Sequence, residues 1–154
     1  MTTSPLISEL PHVDEHATDI AATADEVWSV LTARLDRAFS GAGMARYARL
    51  VGCADWAASG PRPLAEGSTV PGFRVVSAVP PTELVLEGRH RFSSYALIFR
   101  LDEIAAGQSR LRAETRAAFP GFVGGIYRML IIRTGGHVVA VRRMLSDIKR
   151  RCEA

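Results

Sequence analysis

FVGGIYRMLIIRTGGHVVAVRRMLSDIKRR, residues 122–151, repeats apolar side chains at helical spacing. Tyr127, Leu130, Ile131, Val138, Val141, Leu145 and Ile148 are separated mostly by three or four positions, so they share one side of a helix. The pattern predicts a long terminal helix from Phe122 to about Arg151. Gly135-Gly136 falls at its centre. Each glycine in a helix interior costs about 1 kcal/mol relative to alanine, so the pair is expected to mark a bend or a close approach to whatever the helix covers. The remaining faces carry Arg128, Arg133, Arg142, Arg143, Lys149, Arg150 and Arg151. A solvated face accounts for that charge; contact with an anionic membrane surface is the sharper alternative.

What the helix covers is read from the segments before it. Arg110–Phe119 alternates strictly. Leu111, Ala113, Thr115, Ala117 and Phe119 face one way, and Arg110, Arg112, Glu114 and Arg116 face the other. Strands are also expected at Phe73–Val79, Glu83–His90 and Ser94–Glu103, with Pro80-Pro81 and Ala105-Ala-Gly107 as turns. Short connections between them favour an antiparallel meander. His12–Ala22 reads as a strand polar on both faces, which suits a sheet edge. On a regular strand His12 and His16 would share a face about 13 Å apart, given a rise of about 3.3 Å per residue.

Between the first strand and the meander, Thr23-Ala-Asp-Glu26 is a capping box. Val27, Leu31 and Leu35 step by four behind it, so a helix runs from Ala24 to about Leu35. Ser40-Gly-Ala-Gly43 ends it, and a short helix follows over Met44–Val51. Asp55–Gly67, with Pro61 and Pro63, is a loop. Met1–Pro11 reads as a flexible arm, and residues 12–154 as one domain. The fold class is therefore α+β: an antiparallel sheet with a long C-terminal helix, and one or two short helices after the first strand.

The inward middle positions of the last strand are unusually small. A sheet packed directly on a helix would fill Ala113, Thr115 and Ala117 with larger residues, since each empty leucine-sized hole costs about 2–5 kcal/mol. A ligand cavity is thus expected between sheet and helix. Its strand wall would be Leu86, Leu97 and Phe99 with Ala113, Thr115 and Ala117. Its helix wall would be Tyr127, Ile131, Thr134 and Val138. If chemistry occurs there, His90 is the candidate general base, because imidazole titrates near neutral pH. Tyr95 or Tyr127 would then polarise a substrate carbonyl.

Composition narrows the classes further. No apolar run approaches the roughly 18 residues that a membrane span needs. The first ten residues lack the basic start and apolar core of a secretory signal. Cys53 and Cys152 have no metal or disulfide spacing. A cytoplasmic protein without metal or nucleotide cofactor is expected. The net charge of +3 conceals an acidic first third and a basic remainder. In the expected fold the strand arginines point away from the helix arginines, which argues against one nucleic-acid groove.

The segments Ala22–Trp28, Leu64–Gly67 and Val79–Leu84 resemble motifs of the helix-grip, START-like superfamily, which includes polyketide cyclase-like and Bet v 1-like proteins. Ala22-Thr-Ala-Asp-Glu-Val-Trp28 is similar to the start of that family's first helix. Leu64-Ala-Glu-Gly67 is similar to the loop before its next strand, and Val79-Pro-Pro-Thr-Glu-Leu84 to its hairpin corner. The resemblance covers about His12 to Arg151. One departure is Asp36-Arg-Ala-Phe39, which lacks the proline-tryptophan turn common in relatives. The resemblance implies a curved antiparallel sheet gripping the long C-terminal helix around a hydrophobic pocket. It implies a binder of a small hydrophobic, lipid- or polyketide-like molecule, or else a cyclase or dehydratase acting on a carbonyl substrate. Oligomeric state leaves no mark in the sequence.

Overall fold

The computed structural model describes Ile7, residues 9–129 and residues 135–154; the side chains of Phe122, Val123 and Tyr127 also lie outside the description. Six strands form one antiparallel sheet. They are β1 (His12–Ile20), β2 (Thr69–Val70), β3 (Phe73–Val79), β4 (Glu83–His90), β5 (Ser93–Ala105) and β6 (Gln108–Ala118), in the spatial order β1-β6-β5-β4-β3-β2. Helices α1 (Ala24–Phe39) and α2 (Ala42–Leu50) follow β1. Helices α3 (Gly121–Arg128) and α4 (Gly136–Glu153) follow β6. The curved sheet with a long C-terminal helix and short helices after the first strand is the architecture that the periodicities and the family resemblance together imply.

Local chemistry explains the boundaries. The Glu26 carboxylate accepts from the Thr23 amide at 2.8 Å, and the Thr23 hydroxyl accepts from the Glu26 amide at 3.3 Å, so α1 starts at the capping box. Val27, Leu31 and Leu35 on α1 are fully buried. They pack with Leu84, Phe99, Leu101 and Leu111 of the sheet and with Val141, Leu145 and Ile148 of α4. β1 is an edge strand, as its two polar faces suggest.

The terminal helix is not continuous. Gly135 has φ +73°, a left-handed conformation favourable to glycine, and α4 begins directly after it. A Cβ at Gly135 would meet nothing within 4 Å among the described residues. The glycine therefore breaks the helix, and it does not press its backbone onto the sheet.

The histidines of β1 are also arranged differently from a regular strand. The register slips between His12 and Asp14, so His12 pairs with Arg116 but Asp14 pairs with Thr115. An extra residue in a strand reverses the faces beyond it. His12 lies on the outer face, where its Nδ1 is 2.8 Å from Glu114 Oε2. Asp14 and His16 lie on the inner face with Thr115 and Ala113. The shared face expected for His12 and His16 does not occur.

The outer face of the sheet is covered as well. Ile7 is buried against Val85, Ala96 and Ile98, with Leu10 and Val76 beside it. The Pro11 carbonyl accepts from the Ala117 amide at 3.0 Å, and the Leu10 carbonyl from Arg116 Nη1 at 3.2 Å. This cover explains why the middle strands are apolar on both sides.

Candidate functional site

Cross-strand pairing lays the inner face out in rows. Leu101 pairs with Leu111, Phe99 with Leu84 and Ala113, and Leu97 with Leu86 and Thr115. Tyr95 then pairs with Gly88 and Ala117, and Ser93 with His90. The rows divide into two halves. Leu84, Leu86, Phe99, Leu101, Leu111 and Ala113 sit in the packed core. Beyond them, Leu97, Thr115, Tyr95, Ala117, Ser93 and His90 line a cavity of about 270 Å³.

The covering helices cause this division. The C-terminal half of α4 is tied down by the Arg34–Asp147 ion pair and by Lys149 Nζ, which donates to the Asp19 carbonyl at 2.7 Å. The Ala21 amide donates to Glu153 Oε1 at 3.0 Å. The N-terminal half of α4 forms the roof through His137, Ala140, Val141 and Met144. Phe39 at the end of α1 and Met44, Tyr47 and Ala48 of α2 close the side.

Of the residues expected on the cavity wall, Leu97, Thr115 and Ala117 line it, as do His90 and Tyr95. Leu86, Phe99 and Ala113 instead belong to the packed core, because α1 and the buried face of α4 cover that end of the sheet. Val138 is partly buried on α4 and is not among the described lining residues. The Tyr127 side chain, Ile131 and Thr134 lie outside the described residues. The cavity wall expected from the sequence did not include the α2 side wall, Cys53, Phe73 or Phe119. Phe119 carried a signal, since it continues the inward parity of Thr115 and Ala117.

Aromatic rings form one flank. Phe39 and Phe73 have centroids 4.9 Å apart, Phe73 and Tyr95 5.2 Å, and Tyr95 and His90 5.6 Å. The Tyr95 hydroxyl donates to the Gly72 carbonyl at 2.7 Å, and Cys53 Sγ is 3.8 Å from it. Burial pushes the Cys53 thiol up, which keeps it protonated.

His90 is held firmly. Its Nδ1 accepts from the Phe92 amide at 3.1 Å, and its Nε2 is 3.2 Å from Ser93 Oγ. An amide can only donate, so Nδ1 carries the lone pair and the neutral ring keeps its proton on Nε2. Burial lowers the His90 pKa. To take a substrate proton at Nδ1, the ring would first have to release the Phe92 amide.

A second histidine reaches the cavity from α4. His137 Nε2 is 3.4 Å from Asp14 Oδ1, and His16 Nε2 is 3.3 Å from Asp14 Oδ2. One inner-face carboxylate thus orients two imidazoles, and His137 is the one on the cavity wall. No group of three or more His, Cys, Asp or Glu among the described residues is arranged to hold a metal ion. No described helix is long and apolar enough to cross a membrane. On the outward side of α4, Arg150 and Arg151 both pair with Asp147, and Lys149 pairs with Glu153, so part of the basic face is internally neutralised.

No family model and no curated relative matches the sequence. Solved structures do match in shape. A conserved protein from Geobacillus kaustophilus superposes with a TM-score of 0.55 at 18% identity, covering 90% of this chain and 93% of that one. The Zhui aromatase/cyclase from a Streptomyces species gives 0.53 at 15% identity, covering 93% and 96%. A START superfamily protein from Mycobacterium smegmatis gives 0.53 at 12% identity, covering 92% and 97%. The chain has the helix-grip fold of START-like and polyketide cyclase-like proteins.

Proposed function

We propose that this protein binds a small hydrophobic molecule, lipid- or polyketide-like in character, between the inner face of the sheet and the N-terminal half of α4. The observation that carries the reading is the cavity itself. It opens where the inward residues of β6 are small, at Thr115 and Ala117, and its walls are mainly apolar. Its volume of about 270 Å³ lies just below the range of about 300–1,000 Å³ for ligand pockets, which suits a small molecule. Titration with the apolar fluorophore N-phenyl-1-naphthylamine tests it. Saturable enhancement is expected, and Ala117→Leu, which fills the space, should abolish it. Equal enhancement in wild type and Ala117→Leu would sink the idea.

A second reading, acid–base catalysis on a bound carbonyl compound of the cyclase or dehydratase kind, is favoured by the His137–Asp14 contact. A carboxylate that orients an imidazole on a cavity wall is the arrangement a general base needs. His90 and Tyr95 suit that role less well, because each already holds a backbone partner. Deuterium uptake at the methyl group of 2-acetylnaphthalene in D₂O should be faster with wild type than with His137→Gln. Equal rates would remove this reading.

A further inference from the structure

Thr115 is 6% exposed and lies on the cavity wall, while its Oγ1 is sealed from that space and has no hydrogen-bond partner among the described residues. A buried hydroxyl without a partner destabilises a fold, whereas valine would fill the same space without that penalty. None of the neighbouring polar groups is hydrogen-bonded to it. Asp14, directly across β1–β6, is engaged by His16 and His137. Tyr95 donates to Gly72, and Ser93 is paired with His90.

We infer that Thr115 Oγ1 is the anchor for a single oxygen atom on an otherwise apolar ligand, so that the cavity selects a neutral molecule bearing one hydroxyl or carbonyl group. This inference rests on the cavity reading above. A hydroxyl can donate to a carbonyl or accept from an alcohol or phenol, so either oxygen function completes it. As placed, Oγ1 is out of reach of the cavity; rotation of χ1 exchanges it with Cγ2 and would bring the hydroxyl to the bound oxygen. An anionic end group would be buried in apolar surroundings beside the Asp14 carboxylate, which is unfavourable on both counts.

Naphthalene and 2-naphthol differ only by the oxygen and separate the two layers of the argument. Binding of each to the full chain is measured by fluorescence titration for wild type, Thr115→Val and Thr115→Ser. Thr115→Val should weaken 2-naphthol by about tenfold, the loss of one buried hydrogen bond. It should leave naphthalene within about twofold, since the shape of the wall is unchanged. Thr115→Ser should retain 2-naphthol binding. If Thr115→Val shifts both probes equally, or neither, the anchor is overturned while the cavity stands. If neither probe binds wild type, the cavity reading falls and the anchor with it.

Discussion

Gly88 lies directly beneath the ring of Tyr95, its partner across the β4–β5 pair. A Cβ on Gly88 would come within 2.5 and 2.7 Å of the Tyr95 ring and would overlap the Gly72 carbonyl oxygen to which Tyr95 donates. The absence of a side chain at Gly88 therefore lets Tyr95 lie flat across the cavity wall.

Gly88→Ala should destabilise the protein by about 1–3 kcal/mol, the range for overpacking. Chemical denaturation measures the loss. The same variant should weaken binding of N-phenyl-1-naphthylamine, because the displaced tyrosine ring enters the cavity.

Gly135→Ala separates a broken terminal helix from a continuous one by sign. In a helix interior the change would stabilise by about 1 kcal/mol. At φ +73° it should instead destabilise by about 1–2 kcal/mol. Thermal unfolding midpoints decide between the two.

Thr115→Val should raise the stability of the ligand-free protein by about 1 kcal/mol, because it removes a buried hydroxyl that has no partner. A lowered denaturation midpoint would mean that the hydroxyl is satisfied in solution.

Two groups, the half-buried His90 and the buried Glu114, should make acid destabilising in separate pH windows. Burial lowers the His90 pKa, so the unfolded chain binds this proton more readily. The stability from His90 is complete above its ordinary value of about 6.5 and falls as the pH drops toward the depressed folded value. Glu114 is also buried, which by itself would raise its pKa. Hydrogen bonds from His12 and Arg100, with the Arg116 and Arg100 charges, outweigh burial and hold it below its ordinary value. Its contribution is complete above about pH 4.5 and is lost as the pH falls through the folded value. His90→Asn should flatten the stability profile just below pH 6.5, and Glu114→Gln should flatten it below pH 4.5. Urea midpoints measured from pH 3 to 8 test both.

Short-range chemistry was legible without coordinates. The Thr23–Glu26 box starts α1 because both of its hydrogen bonds are local. Alternation from Arg110 to Phe119 set the inward parity of β6 because side chains in a strand repeat every two residues. Val141, Leu145 and Ile148 follow helical spacing and are buried as that spacing implies.

Three features were decided only by the tertiary structure. The slip between His12 and Asp14 depends on pairing with β6, and it places Asp14 and His16 on the inner face. Gly135 is left-handed, whereas a hydrophobic stripe of the right spacing says nothing about φ. Parity told that Ala113, Thr115 and Ala117 face inward but not how far the covering helices reach. Where α1 and the buried face of α4 close on the sheet, Ala113 joins a packed core. Where only the N-terminal half of α4 spans the sheet, Thr115 and Ala117 border open space. The sequence by itself determined the elements and their faces, because those follow from interactions a few residues apart. The position of the cavity depended on helix placement across the whole chain, through contacts such as Arg34–Asp147 that no local pattern encodes.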